Sequence, residues 1–69
     1  MKTIDWNRTE DIARAKTTPI LISAMREIES TIIHLENKVD KASALYEDSP
    51  YYYDELSVYR TELNRRLGR

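Results

Sequence analysis

A chain of 69 residues with one Gly, two Pro and no Phe forms at most one small domain, near the size at which a lone core is marginally stable. With 33% charged residues and so little Gly and Pro, collagen-like and low-complexity classes are excluded and helix is favoured over sheet. A formal net charge of -1 argues against a simple nucleic-acid binder, and without Cys the chain has neither disulfides nor thiolate metal sites, which fits a reducing compartment.

The opening stretch from Met1 to Trp6 reaches Asp5 with no apolar core and does not read as a secretory signal. Asn7 followed three residues later by Glu10 matches a capping box, and Ile12, Ala13 and Ala15 then predict a short helix over 8–16. Thr17 and Thr18 precede Pro19, which places a good N-cap beside the proline favoured in a first turn. A long helix over 19–47, about 42 Å at 1.5 Å per residue, is expected from there. Its signature is a seam of eight positions spaced alternately four and three apart: Leu21, Met25, Ile28, Ile32, Leu35, Val39, Ala42 and Tyr46. If the 41% hydrophobic residues were scattered at random, a given register would fill all eight roughly once in a thousand tries. The most apolar run, Pro19 to Met25, is far short of the ~20 residues a membrane span needs.

Ser49 and Pro50 repeat the cap-then-proline signature and open a third helix over 50–67, with Gly68 placed as a left-handed C-terminal cap. Tyr52, Leu56, Tyr59, Leu63 and Leu67 supply its facing stripe. A turn this short makes the two long helices pack antiparallel. The third helix is expected to cover only 30–47 of the longer one, leaving 19–29 in need of another neighbour. Ile4, Trp6 and Ile12 from the N-terminal segment are one candidate cover and a second copy of the chain is another. Residues 1–69 thus read as one all-α domain, an antiparallel helical hairpin with a short N-terminal helix, dimerising into a small bundle through Ile20, Ile22, Met25 and Ile33.

Four of the five tyrosines lie between Tyr46 and Tyr53, at the expected hairpin tip. Tyr46, Tyr52 and Tyr59 suit the core with their hydroxyls in water. Three consecutive tyrosines cannot all face inward, so Tyr51 is assigned to an outer face with Glu55, Val58 and Glu62. Tyr51, Tyr53 and Val58 are accordingly the candidate contacts for another protein. The one basic cluster, Arg60, Arg65, Arg66 and Arg69, complements the dipole of the last helical turn, with Glu62 placed to pair with Arg66. In a dimer it is also the candidate phosphate-contacting surface.

Catalytic chemistry finds little footing. His34, the one histidine, has Ser30 and Lys38 as its neighbours four residues away, which is neither a metal-binding nor an acid-base pair. No Gly-rich phosphate loop or nucleophile motif occurs. No enzyme activity, cofactor or metal is expected. The match to an N-glycosylation acceptor at Asn7, Arg8 and Thr9 carries no weight without a secretory signal.

A long helix, an Asp/Ser/Pro turn and a Tyr-containing second helix resemble, in shape, the helical-hairpin co-chaperones of type III secretion needles. Hairpins of this size also resemble phage-encoded inhibitors of host enzymes and the dimeric RNA-binding hairpins that control plasmid copy number. Shape does not fix function. The expectation is a cytoplasmic, non-enzymatic protein-binding module of the inhibitor, adaptor or chaperone kind, with a dimeric nucleic-acid regulator and a structural subunit of a larger helical assembly as alternatives.

Overall fold

The structure, a computed structural model, describes residues 3–38 and 44–68. These form four helices and no strand: α1 (Trp6–Ala15), α2 (Thr18–Asn37), α3 (Ala44–Glu47) and α4 (Ser49–Arg66). No helix among the described residues is long and apolar enough to cross a membrane. The fold is all-α, as expected, and α2 and α4 pack as the arms of a hairpin.

α1 starts two residues earlier than the Asn7 box predicts. Its N-cap is Asp5, whose Oδ1 accepts the Arg8 N–H at 3.1 Å, and Asn7 lies inside the first turn. Asp and Asn are nearly equal caps, so local preference does not choose between them. Ile4, buried in the core, anchors the chain immediately before Asp5. α2 opens as predicted at the threonine pair, with Thr17 at the N-cap and Pro19 in the first turn.

The long helix is shorter than the seam implies. α2 closes at Asn37, where the Lys38 N–H reaches the His34 carbonyl at 2.8 Å and Asn37 Nδ2 donates to the Ile33 carbonyl at 3.0 Å. Such side-chain bonds to the backbone compete with helix propagation. The separate turn of α3 follows, Tyr46 is half-buried there, and Val39 and Ala42 lie outside the described residues. From Leu21 to Leu35 the seam is buried throughout.

That early stop changes the hairpin. With 20 and 18 residues, α2 and α4 are nearly equal in length, so α4 runs along all of α2. Arg66 near the end of α4 touches Thr18 at the start of α2, and Arg60 lies 3.9 Å from Glu29. The half of α2 expected to need another cover therefore has one: Leu21 is fully buried and Met25 sits in the core. α4 ends with Leu67 at the C-cap and Gly68 at φ 75°, the left-handed conformation predicted for it.

α1 packs on α4 and makes no comparable contact with α2. Small side chains at Thr9 and Ala13, both buried, let its backbone approach closely. α4 is consequently buried along two faces. Leu56 and Tyr59, with the partly buried Tyr52 and Leu63, serve one; Val58 and Glu62 serve the other. Leu67, expected in the facing stripe, is exposed instead, one residue beyond the last helical turn.

Candidate partner-binding surface

The face of α4 read from sequence as outward is the one α1 covers. Val58 is only 7% exposed, and Tyr51 is packed against the core with its ring edge-on to Tyr52, centroids 5.4 Å apart. Of the three residues expected to present a partner patch, only Tyr53 is exposed. The correction has a simple cause: Val58 and Ala13 are matching apolar faces of two amphipathic helices, and burying them against each other removes both from water. Tyr59 is buried too, and burial, followed by the charge of Glu55 and then Tyr51, raises its phenol above the usual tyrosine range.

The arginine cluster is also organised differently. Arg65 clamps Glu62 with two parallel bonds, Nε to Oε1 at 3.0 Å and Nη2 to Oε2 at 2.7 Å. Arg66 donates its Nε to the same carboxylate at 2.7 Å and its Nη1 to Thr18 Oγ1 at 3.2 Å. Its Nη2 is shared among the carbonyls of Ala13, Arg14 and Lys16 at 3.1, 3.2 and 2.7 Å. These are carbonyls at the C-terminal end of α1, where the negative pole of the helix dipole lies, and the Ala13 carbonyl also accepts the Lys16 N–H at 3.3 Å. One guanidinium thus clasps α1, α2 and α4 together, and its side chain is only 19% exposed. Arg60 faces Glu29, and Arg69 lies outside the described residues. Arg66 is thus occupied by the protein's own acceptors, whereas the side chains of Arg60 and Arg65 are 58% and 66% exposed.

Glu62 is buried, and donation from Arg65 first and Arg66 second lowers its carboxyl to about 2. A carboxylate held ionised this way does not supply a proton at neutral pH. It does make stability depend on acid. The folded-state value lies below the ordinary 4.5, so its contribution is complete above about pH 4.5 and is lost as pH falls toward 2. Thermal unfolding of wild type and Glu62→Gln should therefore differ most at neutral pH and converge between about pH 4.5 and 2. A difference that stays constant across that window contradicts the pairing.

Beside the clasp, α1 and α4 enclose an open groove of about 210 Å³ lined by Trp6, Glu10, Ala13, Arg14, Ser57, Val58, Thr61, Glu62 and Arg65. Its walls are apolar where Trp6, Ala13 and Val58 meet, and hydroxyls and charges rim it. Trp6, the one tryptophan of the chain, is 49% exposed there. Of Ile4, Trp6 and Ile12, the candidate cover for α2 beside a second copy of the chain, Ile4 joins the core with Leu21 and Met25, while Trp6 and Ile12 do not. Both stay on α1 and substantially exposed, because α1 docks on α4. The recoverable signal was Trp6, Thr9 and Ala13 at helical spacing, a large residue beside two small ones that admit a neighbouring helix.

Of the four residues assigned to self-association, Met25 belongs to the core, Ile22 is half-buried, and Ile20 and Ile33 are exposed. Ile20 and Ile33 do not share a surface, since about 100° per residue puts them on opposite flanks of α2. His34 is exposed, and no group of three or more His, Cys, Asp or Glu among the described residues is arranged to hold a metal ion. No protein-family model, curated protein or solved structure matches this chain.

Proposed function

We propose that this protein is a non-enzymatic binding module that holds an apolar side chain of another protein in the groove between α1 and α4, with Trp6 as the anchor. The observation that carries this reading is the half-exposed Trp6 against Ala13 and Val58. A large aromatic beside an apolar floor and a polar rim is the usual composition of a binding hot spot. Ser57 and Thr61 on the rim offer hydroxyls to the backbone of a bound segment. Inhibitor, adaptor and chaperone roles all use such a surface.

The test compares wild type, Trp6→Ala and Tyr53→Ala as baits in a nuclease-treated pull-down, followed by titration of the purified partner. Being the one tryptophan, Trp6 reports its own burial by fluorescence. A stoichiometric partner that shifts Trp6 emission to the blue, and whose affinity falls about 30-fold or more in Trp6→Ala, supports the proposal. A partner bound equally by Trp6→Ala, with circular dichroism confirming the fold of each variant, overturns it. Recovery of nucleic acid alone when nuclease is omitted overturns it as well.

A further inference from the structure

The exposed flank of α2 carries a second stripe, rotated about a third of a turn from the buried seam: Ile22, Arg26, Glu29 and Ile33. Their spacing of four, three and four repeats that of the seam, so these residues share one face. Ile33 is 58% exposed, Arg26 and Glu29 are exposed, and Ile22 is half-buried. α4 covers the seam of α2 and borders this flank through Arg60, and α1 rests on α4. Arg26 has no ion-pair partner among the described residues. Glu29 has a long one, Arg60 at 3.9 Å between two solvent-exposed side chains, and a carboxylate so weakly engaged accepts a second donor.

The order of the stripe is self-complementary. It is symmetric about the midpoint between Glu27 and Ile28: Ile22 and Ile33 lie equally far from that point, and so do Arg26 and Glu29. Two α2 helices crossing antiparallel on a two-fold axis at this midpoint set each Ile22 against the partner copy's second isoleucine and each Arg26 against its glutamate. A parallel arrangement would set arginine on arginine and glutamate on glutamate. Opposite charges in central layers flanked by aliphatic ones are how helical pairs fix orientation and register. A shallow depression lined by Ser30, Ile33, His34, Asn37 and Lys38 lies beside Ile33, and its apolar edge at Ile33 is where an isoleucine of the second copy would seat.

We propose that a second copy of this chain occupies this face, forming an isologous antiparallel dimer through Ile22, Arg26, Glu29 and Ile33. The surface is separate from the Trp6 groove, so the two proposals stand or fall independently. It replaces the broader patch expected from sequence, dropping Met25 to the core and Ile20 to the opposite flank.

Sedimentation equilibrium of the full chain up to about 1 mM gives the association constant. Arg26→Glu, which opposes two glutamates at each central layer, is expected to weaken dimerisation about tenfold or more, and Arg26→Glu/Glu29→Arg to restore most of it. Because the chain has no native Cys, register is read directly by oxidation. Ile22→Cys/Ile33→Cys is expected to form a covalent dimer, while either single variant is not. A wild type that stays monomeric at the highest concentration, a charge reversal that the second reversal does not rescue, or equal cross-linking of Ile33→Cys alone each overturns the proposal. Arg26, Glu29 and Ile33 are exposed and Ile22 is half-buried, and circular dichroism checks that each variant remains folded.

Discussion

Leu21→Ala is expected to bring this protein close to unfolding at room temperature. Leu21 is the one large side chain among the described residues that is fully buried, and it lies at the head of the seam where α2, the end of α4 and the clasped end of α1 converge. Removing three carbon-bearing groups there forfeits their transfer free energy and leaves a cavity that helices pinned on both sides cannot easily collapse. Leucine truncations of this kind cost about 3–4 kcal/mol. A chain this short is stable by only roughly 3–10 kcal/mol, so the loss is a large share of the whole. Urea unfolding followed by helical circular dichroism measures it, with Ile20→Ala, 55% exposed, as the surface control, expected to change stability by less than about 0.5 kcal/mol. Equal costs for the two variants would show that the core does not lie where the packing puts it.

Arg66→Ala is the second large effect, and it separates residues that sequence treats alike. The substitution removes the charged donor that serves Thr18 and the three carbonyls at the end of α1. It also takes from the buried Glu62 one of its two guanidinium partners. Losing charge-assisted bonds of this number is expected to cost about 2–3 kcal/mol. Arg65, its neighbour in the chain, binds the same carboxylate but has a side chain 66% exposed, and Arg65→Ala should cost clearly less than Arg66→Ala. Arg66→Lys keeps the charge but not the planar fork that spans three helices, so it should recover less than half of the loss. An Arg65→Ala variant as unstable as Arg66→Ala would remove the basis for the clasp. Hydrogen exchange adds a second readout: amides of α1 should lose protection in Arg66→Ala before those of α2 and α4, since the clasp holds α1 to the hairpin.

Much of this fold was legible because it depends on local chemistry. The seam from Leu21 to Leu35 could be read from periodicity alone, and the Thr–Pro and Ser–Pro signatures located the starts of α2 and α4 to within one residue, although Ser49 is the first residue of α4 and Asp48 its N-cap. Gly68 announced its left-handed cap because almost no other residue takes that conformation without strain. The end of α2 was less legible. Val39, Ala42 and Tyr46 continue the apolar spacing past Asn37, and periodicity carries no information about where hydrogen bonding stops. The start of α1 was ambiguous for another reason, since two equivalent caps stand two residues apart and only the burial of Ile4 favours one.

The candidate surfaces depended on that missing boundary. A long α2 left its first half bare and made self-association through Met25 reasonable; the shorter α2 matches α4, and Met25 becomes core. The outer face of α4 looked like a patch with Tyr51 and Val58, yet it serves as the seat of α1. Trp6 then emerges on a groove that needs both helices to exist.

Sequence by itself determined the all-helical class, the buried seam of α2, the starts of α2 and α4 to within one residue and the absence of thiols from residues 1–69, because each follows from residue type and spacing along one segment. Tertiary structure decided which helix α1 covers, why Arg66 differs from Arg65, and which apolar residues remain at the surface. Those are choices among several amphipathic faces of similar quality. Only the simultaneous packing of α1 and α2 on α4, their common wall, selects one of them.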